Sequence, residues 1–199
     1  LGHGLAGAGY TVATGGGPGS MEAANLGASL YPETTATLQD VLNGFDGDFS
    51  SPTAWARSAW EIRQAFQQDH GHCRSIGIPT WAYGHEPPNL FANAIAKYFA
   101  NAIREAILLQ KCGAGIMFLP GAAGTIQEIF QDACENYYAP TSDLSPMVLL
   151  GKDYWTNKYP AWQLLQALAK GTPMEDYVFL VDDPAEAQAI VNSINGVED

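Results

Sequence analysis

Apolar and polar positions recur along the chain in an order of short apolar strand, turn and amphipathic helix. The β-branched stretch Tyr10–Thr14 predicts a buried strand, and the alanine-rich stretch Ser20–Ser29 predicts a helix directly after it. Apolar residues at helical spacing predict another helix over Thr53–Gln68, and Leu38–Phe45 has the pattern of a shorter one. The opening residues Leu1–Ala6 have the pattern of the last turns of a helix.

The second half of the chain repeats the same alternation. Phe91–Gln110 is apolar on one face, which predicts mostly helix, although Ile95–Phe99 within it has an equally good strand pattern. The other predicted strands are Arg74–Ile78, Gly115–Leu119, Pro146–Leu150 and Val178–Val181, and the other predicted helices are Thr125–Asn136, Trp155–Ala169 and Pro184–Ile194. Strands that alternate with helices predict an α/β fold: a Rossmann-like, doubly wound parallel sheet of at least five strands with helices on both faces.

The length and the opening pattern bear on domain organisation. A chain of 199 residues is the size of one domain, and 47% hydrophobic residues can supply one core. A chain rarely begins inside a helix. We therefore expect a single Rossmann-like domain over residues 1–199 that lacks its first strand and part of its first helix.

Charge and cysteine content narrow the possible partners. Nine basic residues against 21 acidic ones give a net charge of −12, which argues against a nucleic acid polymer as a partner. A small phosphorylated ligand stays possible, because backbone N–H groups and one or two arginines can hold a phosphate whatever the global charge. Three cysteines without a CxxC pair favour a reducing cytoplasm. No apolar run is long enough for a membrane span.

Metal and pyridoxal phosphate chemistry find little support. The cluster His70-Gly71-His72-Cys73 could be read as metal ligands, but no fourth ligand lies at a recognised spacing, so a surface turn is the preferred interpretation. None of the lysines follows a motif that anchors pyridoxal phosphate. We therefore predict no metal and no cofactor.

Two glycine-rich turns follow predicted strands and precede predicted helices. The first comprises Gly15, Gly16, Gly17, Pro18 and Gly19. Such a turn lets backbone N–H groups approach a phosphate at the positive end of a helix dipole. It lacks both the GxGxxG spacing and the lysine of a Walker loop, and a tight strand-to-helix turn would also require glycine.

The second turn has more specific chemistry. It comprises Pro120, Gly121, Ala122, Ala123, Gly124 and Thr125. Thr125 and Glu128 have the spacing of a capping box, which would be a purely structural role. Capping would not require four preceding small residues. If the loop instead holds a phosphate, Glu128 would point toward the group attached to it, such as a ribose.

The two loops together resemble the LOG (Lonely Guy) family of Rossmann-like phosphoribohydrolases, which are often mislabelled as lysine decarboxylases. The resemblance rests on Gly15–Asn25 and on Pro120–Glu128, which is similar to the family pattern PGGxGTxxE, and it extends through nearly the whole chain. Arg104 stands where the family has an upstream arginine. Ala122 replaces the second glycine of the family loop, and Glu105 stands where many members have lysine. The segment Ile126–Tyr138 looks more like the bacterial nucleotide 5′-monophosphate nucleosidases than like the plant cytokinin enzymes.

The resemblance implies hydrolysis of the N-glycosidic bond of a nucleoside 5′-monophosphate, AMP-like or a cytokinin riboside monophosphate, to free base and ribose 5-phosphate. Glu128 would stabilise the positive charge that develops on the ribose, and Arg104 would hold the phosphate or assist departure of the base. A surface ion pair with Glu105 or Asp132 is the structural alternative for Arg104. The alternative function is a non-catalytic nucleotide-binding or sensing module.

Further expectations concern binding residues and assembly. The substrate-binding candidates are the four glycines of the first turn, all six residues of the second turn, and Met21 and Glu22. Glu22 could equally be a solvated acid in the first helical turn. The family is generally dimeric, and the apolar segments Phe91–Gln110 and Ile126–Tyr138 offer extra hydrophobic surface, so we expect a homodimer. Five aromatic residues could stack a purine, but placement in the core or a subunit interface is the preferred interpretation for most of them, and spacing singles none out: Trp55, Trp60, Trp81, Tyr83 and Phe91.

Overall fold

A computed structural model describes residues 1–45, 51–66, 74–81 and 89–197. The chain forms two compact units, Leu1–Leu108 and Leu109–Asp199. The predicted cluster at His70–Cys73 and the aromatic Tyr83 lie outside the described residues. Within the described ranges no helix is long and apolar enough to cross a membrane, and no group of metal-ligating side chains could hold an ion.

The first unit is built on three parallel strands in the order β1-β2-β3. The strands are β1 (Val12–Thr14), β2 (Ser75–Gly77) and β3 (Ala94–Ile95), and the helices are α1 (Gly2–Gly7), α2 (Ser20–Ser29), α3 (Thr35–Gly44) and α4 (Pro52–Phe66). Helix α5 (Asn101–Lys111) contains the boundary between the units. The core lies between α2, α3 and α4, where Trp55 and Ala59 are fully buried against Leu26 and Phe91.

The second unit has its own three parallel strands in the order β4-β5-β6. The strands are β4 (Ile116–Phe118), β5 (Met147–Leu150) and β6 (Val178–Val181), and the helices are α6 (Ala123–Tyr138), α7 (Ala161–Ala169) and α8 (Pro184–Ile194). Asp183 caps α8 by accepting a hydrogen bond from the Ala185 N–H, as its position before Pro184 favours. Ile129, Met147 and Leu165 lie at the centre of the second core with no exposed surface.

The predicted α/β class is confirmed, since every strand pair in the described residues is parallel and the strands are flanked by helices. The predicted single sheet of at least five strands is not what the described residues form: their six strands hydrogen-bond as two three-stranded sheets, one in each unit. Helices α2 and α8 and strand β6 have the predicted bounds. Each of the two glycine-rich turns follows the carboxyl end of a strand, β1 or β4.

Two helix predictions are wrong. Phe91–Gln110 is not mostly helix, because β3 occupies Ala94–Ile95 and the helix begins only at Asn101, so the strand alternative is the nearer one. Its apolar pattern fits either structure, and pairing with β2 decides between them. Trp155–Ala169 is not one helix: a π-helical turn covers Tyr154–Lys158, and α7 starts after Pro160, whose missing N–H interrupts a helix.

Candidate functional site

The first glycine-rich turn has a backbone that only glycine adopts readily. Gly16 and Gly19 have φ of 70° and 72°, in the left-handed region. A Cβ at Gly16 would also lie 3.0 Å from the ring of Pro79, so the turn packs closely on the segment after β2. Gly19 is the N-cap of α2 and has no side chain to cap that helix end, and the Glu22 carboxylate in the first turn interacts with the Gly19 N–H. The turn therefore presents backbone N–H groups at a positive helix terminus.

A buried polar network holds this turn from beneath. Asn25 is fully buried, and its Oδ1 accepts from the Thr14 hydroxyl at 2.6 Å and from Asn89 Nδ2 at 2.9 Å. Its own Nδ2 donates to the Ser75 hydroxyl at 2.9 Å. Asn89 Nδ2 also donates to the Gly17 carbonyl at 3.1 Å, and Gly16 N–H donates to the Thr14 hydroxyl at 3.0 Å. Such a network of satisfied buried groups gives the turn one defined shape.

The guanidinium of Arg104 lies beside the first turn. A Cβ added at Gly15 would stand 3.2 Å from Arg104 Nη1. The guanidinium is oriented from below, because Nη2 donates to Asn101 Oδ1 at 2.9 Å and to Glu105 Oε1 at 3.2 Å. The ion pair between Arg104 and Glu105 is the structural alternative expected for Arg104, and both side chains are largely buried. Arg104 therefore combines an ion pair with a position against the glycine turn.

Met21 and Glu22 line the same turn from the start of α2. The Met21 side chain passes beneath it, since a Cβ at Gly15 would lie 3.0 Å from its sulfur. Glu22 is only 4% exposed, so the alternative of a solvated acid is wrong. Burial raises the pKa of Glu22 to about 7, although the Trp55 indole and the Gly19 backbone N–H oppose that shift. Its Oε1 has no hydrogen-bond partner in the described part of the chain.

The second glycine-rich turn lies in the second unit and is not a capping box. Helix α6 begins at Ala123 with Ala122 at its N-cap, and no side chain makes the capping hydrogen bond. Thr125 instead packs its hydroxyl against Gly121, where a Cβ would collide with it. The Gly121 carbonyl accepts a 2.5 Å hydrogen bond from the Tyr154 hydroxyl. Close packing on Thr125 therefore requires glycine at position 121, whereas a Cβ at Gly124 would meet open space.

Glu128 lies on α6 in an acidic environment. Its charge and that of Asp132 both raise the pKa of the Cys112 thiol, which reaches about 11 mainly because the thiol is buried. Asp132 is 4% exposed, and burial, assisted by the charge of Glu135, raises its pKa to about 7. Asp132 Oδ2 has no hydrogen-bond partner among the described residues. Glu128 is half-buried and is thus the more accessible of the two carboxyls.

The structure brings some candidate site residues together within one unit. Gly15, Gly16, Gly17, Gly19, Met21, Glu22 and Arg104 belong to the first unit; Pro120, Gly121, Ala122, Ala123, Gly124, Thr125 and Glu128 belong to the second. From the sequence we also expect Arg104 and Glu128 on one crevice wall near the second turn, because one must face the ribose and the other the phosphate or base, and this stays a prediction.

Three residues that support the turns were missed as site candidates: Thr14, Asn89 and Tyr154. Asn89 is 72 residues from Gly17 along the chain, and no local motif marks it.

Comparison with known proteins assigns no family to this arrangement. No protein-family model matches the chain. A search of curated proteins also finds no match. Any function must therefore be inferred from the geometry and from the resemblance of the two loops.

Proposed function

We propose that the protein hydrolyses the N-glycosidic bond of a nucleoside 5′-monophosphate and releases the free base and ribose 5-phosphate. The observation that carries the proposal is the position of the Arg104 guanidinium beside Gly15, at a glycine turn that leads into the N-terminus of α2. A phosphate monoester is bound well where backbone N–H groups, the positive end of a helix dipole and a guanidinium come together. The phosphate would bind there, and the nucleotide would extend from that point.

Glu128 is our candidate for the chemical step because Pro120–Glu128 resembles the family loop in which this glutamate is found. Cleavage of the bond develops positive charge on the ribose, and a nearby carboxylate stabilises that charge more in the transition state than in the bound nucleotide. The half-buried carboxylate of Glu128 has the accessibility this role needs. Arg104 would act on binding and on the leaving group without changing its protonation. We also propose that the active protein is a cytoplasmic homodimer, as the cysteine content and the exposed apolar residues favour.

The test is a panel of nucleoside 5′-monophosphates incubated with the protein, with released base measured by chromatography. Glu128→Gln should lower turnover by roughly two to three orders of magnitude while nucleotide affinity changes little. Arg104→Ala should lower both turnover and affinity. Matched controls are Glu135→Gln, an exposed acid on the same helix, and Arg57→Ala, an exposed arginine on α4; both should behave as wild type.

Two results would contradict the proposal. Full hydrolytic activity in Glu128→Gln would remove the assigned catalytic role. A wild-type protein that binds a nucleotide tightly but releases no base would leave a binding or sensing module as the function. Analytical ultracentrifugation of the same preparations would show whether the chain is a dimer at micromolar concentration.

A further inference from the structure

Strands β2 and β3 continue their pairing past the ends of the regular strands. The Tyr98 N–H donates to the Pro79 carbonyl at 3.0 Å, and the Trp81 N–H donates to the Tyr98 carbonyl at 3.0 Å. Gly77 pairs with Ile95, and Thr80 pairs with Tyr98 at the same offset. Continuing that offset by one residue places Trp81 opposite Phe99, so their side chains are neighbours across the two segments.

The aromatic side chains of this pair form an exposed platform. The Trp81 and Phe99 rings are stacked, with centroids 5.9 Å apart and planes within 11° of each other. Trp81 is 54% exposed and Phe99 is 83% exposed. The ammonium of Lys97 lies 3.7 Å from the Trp81 ring centroid. Phe99 and the Lys97 ammonium cover part of the Trp81 ring, and the aromatic surface that stays exposed, most of it on Phe99, suits a flat aromatic partner.

The platform lies at the same edge of the sheet as the first glycine-rich turn. Strands β1, β2 and β3 are parallel, so their carboxyl ends meet at one edge. The glycine turn follows β1, Trp81 follows β2, and Phe99 follows β3. Gly16 packs on Pro79, and Trp81 is only two residues further along the chain, a backbone distance of at most ~7 Å. A ligand with its phosphate on the glycine turn could therefore extend a ring toward the platform.

We infer that Trp81 and Phe99 stack the base of the nucleotide whose phosphate is held at the glycine turn beside Arg104. This inference rests on the proposed nucleotide-binding function and assigns the contact with the base to the Trp81–Phe99 platform. Stacking on an aromatic face tolerates any base, so the platform supplies affinity more than discrimination between bases.

Three other aromatic candidates, all within the described residues, do not occupy this edge. Trp55 and Phe91 are buried in the first core, and Trp60 is exposed on α4 instead of following a strand. Trp60 is 49% exposed, close to the value for Trp81. It therefore provides a matched control for the loss of an exposed indole.

The experiment compares two ligands in four proteins: wild type, Trp81→Ala, Phe99→Ala and Trp60→Ala. The first ligand is the tightest binder among AMP, GMP, CMP and UMP, and the second is ribose 5-phosphate, which lacks the base. Calorimetry should show nucleotide affinity about tenfold weaker in Trp81→Ala and in Phe99→Ala. Affinity for ribose 5-phosphate should be unchanged in both, and Trp60→Ala should match wild type for both ligands.

Several outcomes would overturn the inference. Unchanged nucleotide affinity in Trp81→Ala, or an equal loss for nucleotide and ribose 5-phosphate, would show that the platform does not contact the base. Sedimentation of a dimeric wild type and a monomeric Trp81→Ala protein with unchanged nucleotide affinity would identify the platform as a subunit interface. A wild type that binds none of the four nucleotides would also overturn it. Binding without base release would contradict only the hydrolase proposal, since the same affinity ratio would still report stacking.

Discussion

The buried carboxyl of Asp132 should make the protein less stable as the pH rises through neutrality. Burial of this α6 side chain, with the nearby charge of Glu135, raises its pKa from 3.8 to about 7. Below pH 3.8 the carboxyl is protonated in both folded and unfolded chains and has no effect. Between these two pKa values the unfolded chain loses the proton while the folded chain keeps it, so the free energy of unfolding falls as the pH rises.

The size of this effect follows from the shift. A difference of about three pKa units corresponds to about 4 kcal/mol once both states are ionised, at 1.36 kcal/mol per unit. Most of it, about 2 to 3 kcal/mol, should develop between about pH 5 and pH 8. Asp132→Asn removes the titration and keeps the side-chain shape. The variant should therefore gain about 2 to 3 kcal/mol relative to wild type over that interval, even if its buried amide lowers stability by a constant amount.

Urea denaturation at constant ionic strength and at four pH values between 5 and 8 would measure this difference. Other carboxylates of this acidic chain also titrate, so the comparison uses the free energy of unfolding of the variant minus that of the wild type at each pH. Asp176→Asn, which changes an exposed acid, is the control and should give a curve parallel to wild type. If the Asp132→Asn curve were also parallel to wild type, burial would not be shifting this carboxyl, and the reasoning would be refuted. Circular dichroism and fluorescence must give coincident unfolding transitions for these free energies to hold, because separate unfolding of the two compact units would invalidate a two-state treatment.

Two further predictions follow from single contacts. Asn89→Asp removes the hydrogen bonds that the Asn89 amide donates to Gly17 and to Asn25, so it should weaken nucleotide affinity about tenfold and raise KM more than it lowers kcat. Asn157→Asp, on an exposed turn, is the control. A loss of stability with unchanged nucleotide affinity would show that the network has only a structural role. Burial raises the pKa of Cys112 from 9.0 to about 11, which should lower its thiolate fraction at pH 8 about 100-fold. Mass spectrometry should therefore find iodoacetamide on the exposed Cys134 long before Cys112 is labelled. Equal labelling of the two cysteines would contradict the burial of the Cys112 thiol.

Local patterns predicted much of the fold. Strand β6 and helices α2 and α8 have their predicted bounds, because apolar periodicity, a proline at the first helical position and a glycine turn are all read within a few residues. The sequence also pointed to the first glycine turn and to Arg104, which the structure places side by side.

Contacts distant in sequence decided the rest. Ala94–Ile95 is a strand only because β2 pairs with it, and neither its composition nor its periodicity distinguishes strand from helix. Glu22 is buried and interacts with the Trp55 indole, 33 residues away, and Asn89 reaches the first turn across 72 residues.

Aromatic residues show the same division. Trp55, Trp60 and Trp81 are alike in the sequence, yet the first is fully buried, the second lies on an exposed helix surface, and the third stacks on Phe99 at the edge of a sheet. The sequence alone determined which segments become strands, turns and helices where a few neighbouring residues settle the choice. Which polar and aromatic side chains meet at a site was decided only by tertiary structure, because burial and strand register depend on residues far apart in the chain.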